Sequence, residues 1–323
     1  MFTLLLCEAF LLTPIFLFGS TGETLTEKSG HLNLGTPGTI CVGGAGGMIG
    51  VAVYDSMCGG FANSNSFLTF IFVLFFALLF GALSGLLFSF FTVSLRCNQN
   101  VMGLAYTTFG IGFYGLIATL VNRPDGYLNQ YCGTISHLFM TRSEAPNGFC
   151  EIFLSHGLLF YLSFVIAIVV AVVLKRTRVG LFVRTVGENA GSADAAGIDV
   201  SKYRYITTII GCSISALAGL YYFVEINNGL VEFKNIDAYG WLAVALVIFT
   251  LWKTDLGILG AILFAFLFKL PEIYGLPSAS LNILFQYLPY FVTVVILVVI
   301  SMVNKKAVQA PANLGIPYFR EER

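Results

Sequence analysis

The stretches 152–174 and 283–303 are predominantly apolar, and each is long enough to cross the ~30 Å hydrocarbon core of a bilayer as a helix. Runs of the same kind recur near 1–19, 32–58, 67–95, 100–122, 205–226, 239–252 and 256–270. With 57% hydrophobic and 11% charged residues, the chain reads as an all-α polytopic membrane bundle of about 8–10 segments, some of them broken or re-entrant. The runs 239–252 and 256–270 are short for full crossings and read as tilted or re-entrant halves. A net charge of zero argues against a nucleic-acid partner, because a binder of phosphate backbone carries a basic patch of its own.

One long break interrupts the pattern. Residues 175–204 hold six of the seventeen Lys and Arg residues: Lys175, Arg176, Arg178, Arg184, Lys202 and Arg204. Each such side chain costs ~2.5–3.5 kcal/mol at a bilayer centre, so the segment is expected in water, and by the positive-inside rule in the cytoplasm. Alternation then places 20–31, 96–99, 253–255 and the C-terminal tail on the same side. Lys28, Arg96, Lys253, Lys305, Lys306, Arg320 and Arg323 join the six there, leaving Arg123, Arg142, Lys234 and Lys269 opposite. This split predicts a plasma-membrane protein with its N-terminus outside and its C-terminus inside. The first run lacks a basic leader, carries Glu8 and ends without a small-residue cleavage site, so it reads as a retained helix.

Cys7, Cys41, Cys58, Cys97, Cys132, Cys150 and Cys212 show no metal-ligand spacing. Cys132 and Cys150 share the expected external loop 123–150, where an oxidising environment permits a disulfide. Glycines recur at four-residue spacing in Gly43/Gly47, Gly46/Gly50 and Gly81/Gly85, which clears one helix face for close backbone approach. Packing within the bundle is their expected use.

Two polar, glycine-broken stretches precede apolar runs, at 31–39 and at 227–240. Non-helical backbone at membrane depth is tolerated only where protein or a water-filled cavity satisfies it, and paired interruptions in two halves of a transporter point to a substrate pathway. Asn33, Thr36 and Thr39, with Asn100, Tyr106 and Trp241 near them by topology, are the candidate pathway residues. Their amides, hydroxyls and rings suit a neutral, planar or hydroxylated solute. Tyrosine and tryptophan also serve as interface anchors, and 227–240, with Glu232, Lys234 and Asp237, also reads as a surface loop.

Inside the basic segment, residues 188–198 read as a short helix capped by Asn189 and stopped by Gly197. Ala190, Ala193 and Ala196 give it a face of very small side chains, suited to a groove on another protein. Arg184, Lys202 and Arg204 flank it, poised for acidic residues of that partner or for lipid headgroups.

The sequence from Gly180-Leu-Phe-Val-Arg-Thr-Val-Gly-Glu-Asn-Ala190 through Ala195-Ala-Gly-Ile-Asp-Val-Ser-Lys-Tyr-Arg204 resembles the cytoplasmic coupling loop of ABC importer permeases of the branched-chain amino acid, sugar and nucleoside group. Leu32-Asn-Leu-Gly-Thr-Pro-Gly38 and the tail Ala310-Pro-Ala-Asn-Leu-Gly-Ile-Pro-Tyr318 resemble the nucleoside or simple-sugar branch. Where that family commonly has an acidic residue two positions after its N-x-G, this chain has Pro37.

The resemblance implies a permease domain over 1–303 with a cytoplasmic tail at 304–323. It also implies an ATP-binding subunit that holds ATP and magnesium, a second permease that is a paralogue, and an extracytoplasmic solute-binding lipoprotein. Arg184, Gly187, Glu188, Asn189, Ala190, Ala193, Ala196 and Gly197 would then couple to the ATPase.

No Gly-Lys pair occurs, so a phosphate-binding G-x-x-x-x-G-K-[ST] loop is excluded and the chain is expected to bind no cofactor and to be no enzyme. No metal-dependent hydrolase motif is present either. A permease for another small solute, such as a branched-chain amino acid or a riboflavin-like molecule, fits the same residues. A secondary transporter fits less well, since Glu8 is the only clear acidic candidate in an expected span.

Overall fold

The computed structural model describes residues 2–138, 153, 155–231, 236–274, 287–302 and 310–319. Among these there is no strand, and every expected span meets a helix. The long helices are α1 (Phe2–Glu27), α2 (Thr36–Cys58), α3 (Ser66–Ser89) and α4 (Gln99–Val121). A short α5 (Tyr127–Ser136) precedes α6 (Leu158–Arg176). The basic segment forms α7 (Arg178–Glu188) and α8 (Ala190–Ala195), and α9 (Val200–Tyr221), α10 (Ile236–Phe249), α11 (Thr254–Tyr274) and α12 (Leu288–Met302) follow. Seven of these helices are long and apolar enough to cross a membrane, with α10 a shorter apolar helix beside them.

Local sequence sets the ends. The side chains of Asn65, Asn98 and Asp199 accept from backbone N–H groups in the first turns of α3, α4 and α9, satisfying donors that a helix cannot pair itself. Gly59 closes α2 in the left-handed conformation with φ +70°, which glycine adopts without steric penalty.

Three expectations change. The first run was expected to end near residue 19, with 20–31 as a loop, yet α1 continues to Glu27 and residues 12–27 are all buried. Its polar end stays helical because hydroxyls bond back along the helix, Thr26 Oγ1 to the Gly22 carbonyl at 3.2 Å among them, and because other elements surround it. The run 256–270, expected as a half-span, belongs to a helix of 21 residues. Arg204, expected in water, sits one turn into α9 at 3% exposure. Cys132 is buried on α5, while Cys150, its expected partner, lies outside the described residues.

The centre of the bundle is α1, α2 and α9. Helix α1 packs against α6, α9, α10 and α11, and α9 packs against α2 and α3. Glycines permit this packing: a Cβ on Gly219 of α9 would overlap the Ile40 carbonyl oxygen of α2, and one on Gly81, from the Gly81/Gly85 pair, would press on Ser213 and Ala216. Gly219→Ala is expected to destabilise the protein by ~1–3 kcal/mol through overpacking against backbone that cannot rotate away. Gly112→Ala on α4, where a Cβ meets open space, is expected to leave the melting temperature in detergent unchanged.

Candidate functional site

The basic segment, the C-terminal stretch and three inter-helix connections meet at one end of the bundle. The guanidinium of Arg96, between α3 and α4, lies 4.7 Å over the Phe319 ring. Lys175, at the end of α6, pairs with Asp255 of α11 at 2.8 Å. Lys28 follows α1 and faces Glu188, Arg184 and Lys253; burial lowers its pKa, Glu188 opposes that, and the two cations add to it. Among the described residues, Lys28, Arg96, Lys175, Arg176, Arg178, Arg184, Lys202, Arg204 and Lys253 fall at this end. Arg123 and Lys269 are tied to Asp55, Glu8 and Glu272 at the other.

Helix α8 spans six residues rather than the expected stretch 188–198. The Asn189 side chain accepts from Ser192 N at 2.9 Å, and Gly197 ends the turn at φ +82°, so the cap and stop stand where the sequence put them. The alanine face does not. Ala190 and Ala193, at 3% and 0% exposure, pack inward with Val186, Val200, Ile198 and Tyr318. Small side chains let α8 lie close against its own chain, and Ala196 alone of the three is exposed. The exposed face of α8 carries Ser192 and Ala195 at three-residue spacing, with Glu188 exposed at the end of α7.

The flanking basic residues divide. Arg184 and Lys202 are exposed, and Arg184 Nε donates to its own helix at Gly180 O. Arg204 instead turns inward and donates from Nη1 to the Ile316 carbonyl at 3.1 Å. Gly187 lies flat against Lys28 and Gly30, which brings α7 onto the connection between α1 and α2.

That connection is the second part of the site. Residues 31–35 are non-helical and largely buried, and Thr36 meets α1 at Glu23, four residues or ~6 Å above the end of that helix. Protein groups satisfy the irregular backbone, as membrane depth requires. Leu32 N donates to Gln99 Oε1 at 2.8 Å, Thr107 Oγ1 to the Leu34 carbonyl at 3.0 Å, and Gly35 N to Asn33 Oδ1 at 3.0 Å. The His31 ring reaches Thr208 and Thr92 with its two nitrogens at 2.6 and 2.7 Å.

Of the six candidate pathway residues, the structure gathers four. Asn33 and Thr39 reach the Cys212 sulfur, and Thr36 accepts from the Asn33 amide at 3.5 Å and donates to the Glu23 carboxylate. Tyr106 adjoins them, its ring beside Gly35 and its hydroxyl paired with that of Ser84 on the wall of a cavity of about 530 Å³ between α3 and α4. Asn100 is exposed in the first turn of α4, and Trp241 is partly buried on α10. The two interrupted stretches do meet: Pro37 packs against Gly240 of α10. Residues 232–235 of the second stretch lie outside the described residues.

The sequence reading missed two acids. Glu23 and Glu27 are fully or nearly fully buried, and the indole N–H of Trp252 donates to Glu27. They escaped notice because the first run was taken to end before them. The signal available was the stretch 23–28, which carries neither Gly nor Pro and so defers the helix stop to Ser29 and Gly30. Glu8 is thus not alone among acids in the spans, and it pairs with Lys269 at 3.3 Å.

A bundle whose seven long apolar helices are able to cross a membrane and whose central helices pack through glycine is a polytopic helical membrane protein. A family model described as the permease component of branched-chain amino acid transport systems matches residues 5–301, and the chain belongs to that family. It is 28% identical to the nucleoside ABC transporter permease protein NupC of Lactococcus lactis, over 96% of this chain and 94% of that one. It is likewise 28% identical to the guanosine ABC transporter permease protein NupQ of Bacillus subtilis, over 94% and 92%. A solved structure of a metal-chelate type ABC transporter in an inward-facing conformation aligns over 90% of this chain and 85% of that chain, at 14% identity and a TM-score of 0.43.

Proposed function

We propose that this chain is the permease subunit of an ATP-driven importer of nucleosides. It carries no chemistry of its own; an ATP-binding subunit, with its ATP and magnesium, would dock on the outward face of α8, which faces the cytoplasm. A paralogous permease would complete the conduit, and a solute-binding lipoprotein would deliver substrate on the far side, where the N-terminus lies. The observation that carries this reading is the small capped helix α8, which follows directly on α7, whose Gly187 abuts the connection that leads into the buried polar loop 31–36. Coupling needs a contact through which the motor distinguishes two states of the bundle, and α8 has that position.

The nucleoside assignment draws on the relatives' names and on the branch that the tail and the Leu32–Gly38 stretch resemble. Simple sugars are the second reading, since sugar permeases stand among the relatives too. Vesicles that hold the purified complex, with its ATPase and binding lipoprotein, should take up labelled guanosine when ATP is supplied, and excess glucose should not compete. Competition by glucose and not by guanosine would overturn the substrate. Failure of the chain to co-purify with any ATP-binding subunit would overturn the class.

A further inference from the structure

The segment 311–319 was expected to be a tail, and it is laced into the site at five points. Asn313 N donates to the Gly187 carbonyl at the end of α7 at 2.9 Å, and Gly315 N to the Gly30 carbonyl after α1 at 3.3 Å. The Ile316 carbonyl accepts from buried Arg204 of α9. The Tyr318 hydroxyl donates to Asp194 Oδ2 of α8 at 2.8 Å, and Phe319 lies beneath Arg96 between α3 and α4. One short segment, with a turn at 312–315, therefore touches the coupling helices, the start of α9, and the α1–α2 and α3–α4 connections.

We propose that residues 311–319 are a transmission strap, through which displacement of α8 reaches the α1–α2 connection and the α3–α4 turn, with Tyr318 and Arg204 as its positioning residues. This rests on the reading of α8 as the ATPase contact.

Three observations support it. First, Tyr318 holds α8 twice, by its hydroxyl on Asp194 and by its ring against the inward cluster of Val186, Ala190, Ala193 and Val200. A movement of α8 of an ångström or more must therefore either carry the strap or break a hydrogen bond.

Second, Arg204 is nearly fully buried, and its Nε and Nη2 find no hydrogen-bond acceptor among the described residues. A buried guanidinium with a single carbonyl partner is costly to strand, so α9 follows the Ile316 carbonyl.

Third, α8 has room to move. A polar cavity of about 390 Å³ separates the α8–α9 turn from the end of α3, with Asp194, Gly197, Asp199, Arg96 and Tyr318 on its walls. Arg96 itself is held at φ +57°, a conformation costly for a residue with a side chain and often kept where an element has two states. At the far end of the chain of contacts, Gly30 leads directly into His31 and the buried loop that bonds Glu23. A pull on the strap thus arrives at the gathered polar residues.

The test uses the assembled importer in vesicles, with uptake and ATP hydrolysis measured together. Tyr318→Phe removes one hydroxyl and keeps the ring. It is expected to leave subunit assembly and ATP hydrolysis near wild type while lowering solute moved per ATP hydrolysed by 3- to 10-fold. Asp194→Ala should do the same. Asp194→Asn, which retains a carbonyl acceptor for the phenol, should restore the ratio to within 2-fold of wild type. An unchanged ratio in Tyr318→Phe and Asp194→Ala would overturn the strap, as would an equal loss in Asp194→Asn and Asp194→Ala. These outcomes are read against a coupled wild-type complex; a wild type that neither binds an ATPase nor responds to ATP counts against the permease reading instead.

Discussion

Ala195→Trp, on the outward side of α8, should reduce ATP-driven uptake by roughly 30-fold or more, the loss that follows from removing a contact worth ~2 kcal/mol at the centre of an interface. The same substitution should alter the stability of the bundle by no more than ~0.5 kcal/mol, because the residue is exposed. The helix is only ~9 Å long, so a partner engaging it must cover Ser192 and Ala195 together. Interfaces pack at the density of protein interiors, and an indole in place of a methyl group holds the two surfaces apart. Ala193→Leu is the contrasting case: it points inward among Val186, Val200 and Tyr318, where overpacking costs ~1–3 kcal/mol. It should lower melting temperature and uptake together. Wild-type uptake by Ala195→Trp would show that the ATPase contact lies elsewhere.

The sequence made some parts of this site legible and concealed others for identifiable reasons. The cap at Asn189 and the stop at Gly197 could be read because both act through local backbone chemistry: a side-chain acceptor for an orphan N–H, and a left-handed residue that only glycine adopts freely. The direction of the alanine face could not be read. Three alanines at helical spacing are equally apt for a partner's groove or for the chain's own surface, and the choice was made by Tyr318, more than a hundred positions away in sequence.

Hydropathy found the spans but misplaced the end of α1. Ser20, Thr21, Glu23, Thr24 and Glu27 look like a loop until Thr36 and Trp252 are brought beside them. Arg204 was misread for the same reason: its cost in a membrane protein depends on the Ile316 carbonyl, which no local pattern announces. Pro37, the departure from the family pattern, proved to be a packing residue against Gly240, and a carboxylate reaches the same loop from Glu23 of α1.

The acids of α1 yield the second large effect. Glu23 and Glu27 are four residues apart and so share a face; one accepts from Thr36 at the start of α2, the other from Trp252 in the turn between α10 and α11. Both acids, and both donors, are at most 8% exposed, so water cannot replace a lost partner. Thr36→Val keeps the shape of the side chain and deletes the donor, leaving a buried carboxyl oxygen unsatisfied at a cost of ~1–3 kcal/mol, and more if it is charged. Trp252 bears a second burden, since it and Leu251 are held at φ +54° and +56°, a conformation that residues with side chains adopt only when neighbours impose it. Trp252→Phe removes the indole donor that anchors this turn and should therefore cost at least as much as Thr36→Val. Because the two acids lie within ~6 Å along one helix, the losses should not add: the double variant is expected to differ from the sum by ~0.5 kcal/mol or more, read from thermal melts in detergent. Thr36→Ser, which restores the hydroxyl, should recover most of the stability lost by Thr36→Val. If Thr36→Val and Trp252→Phe both melt like wild type, α1 is not the post to which the α2 start and the α10–α11 turn are fastened, and the route from α8 through the α1–α2 connection would end without an anchor.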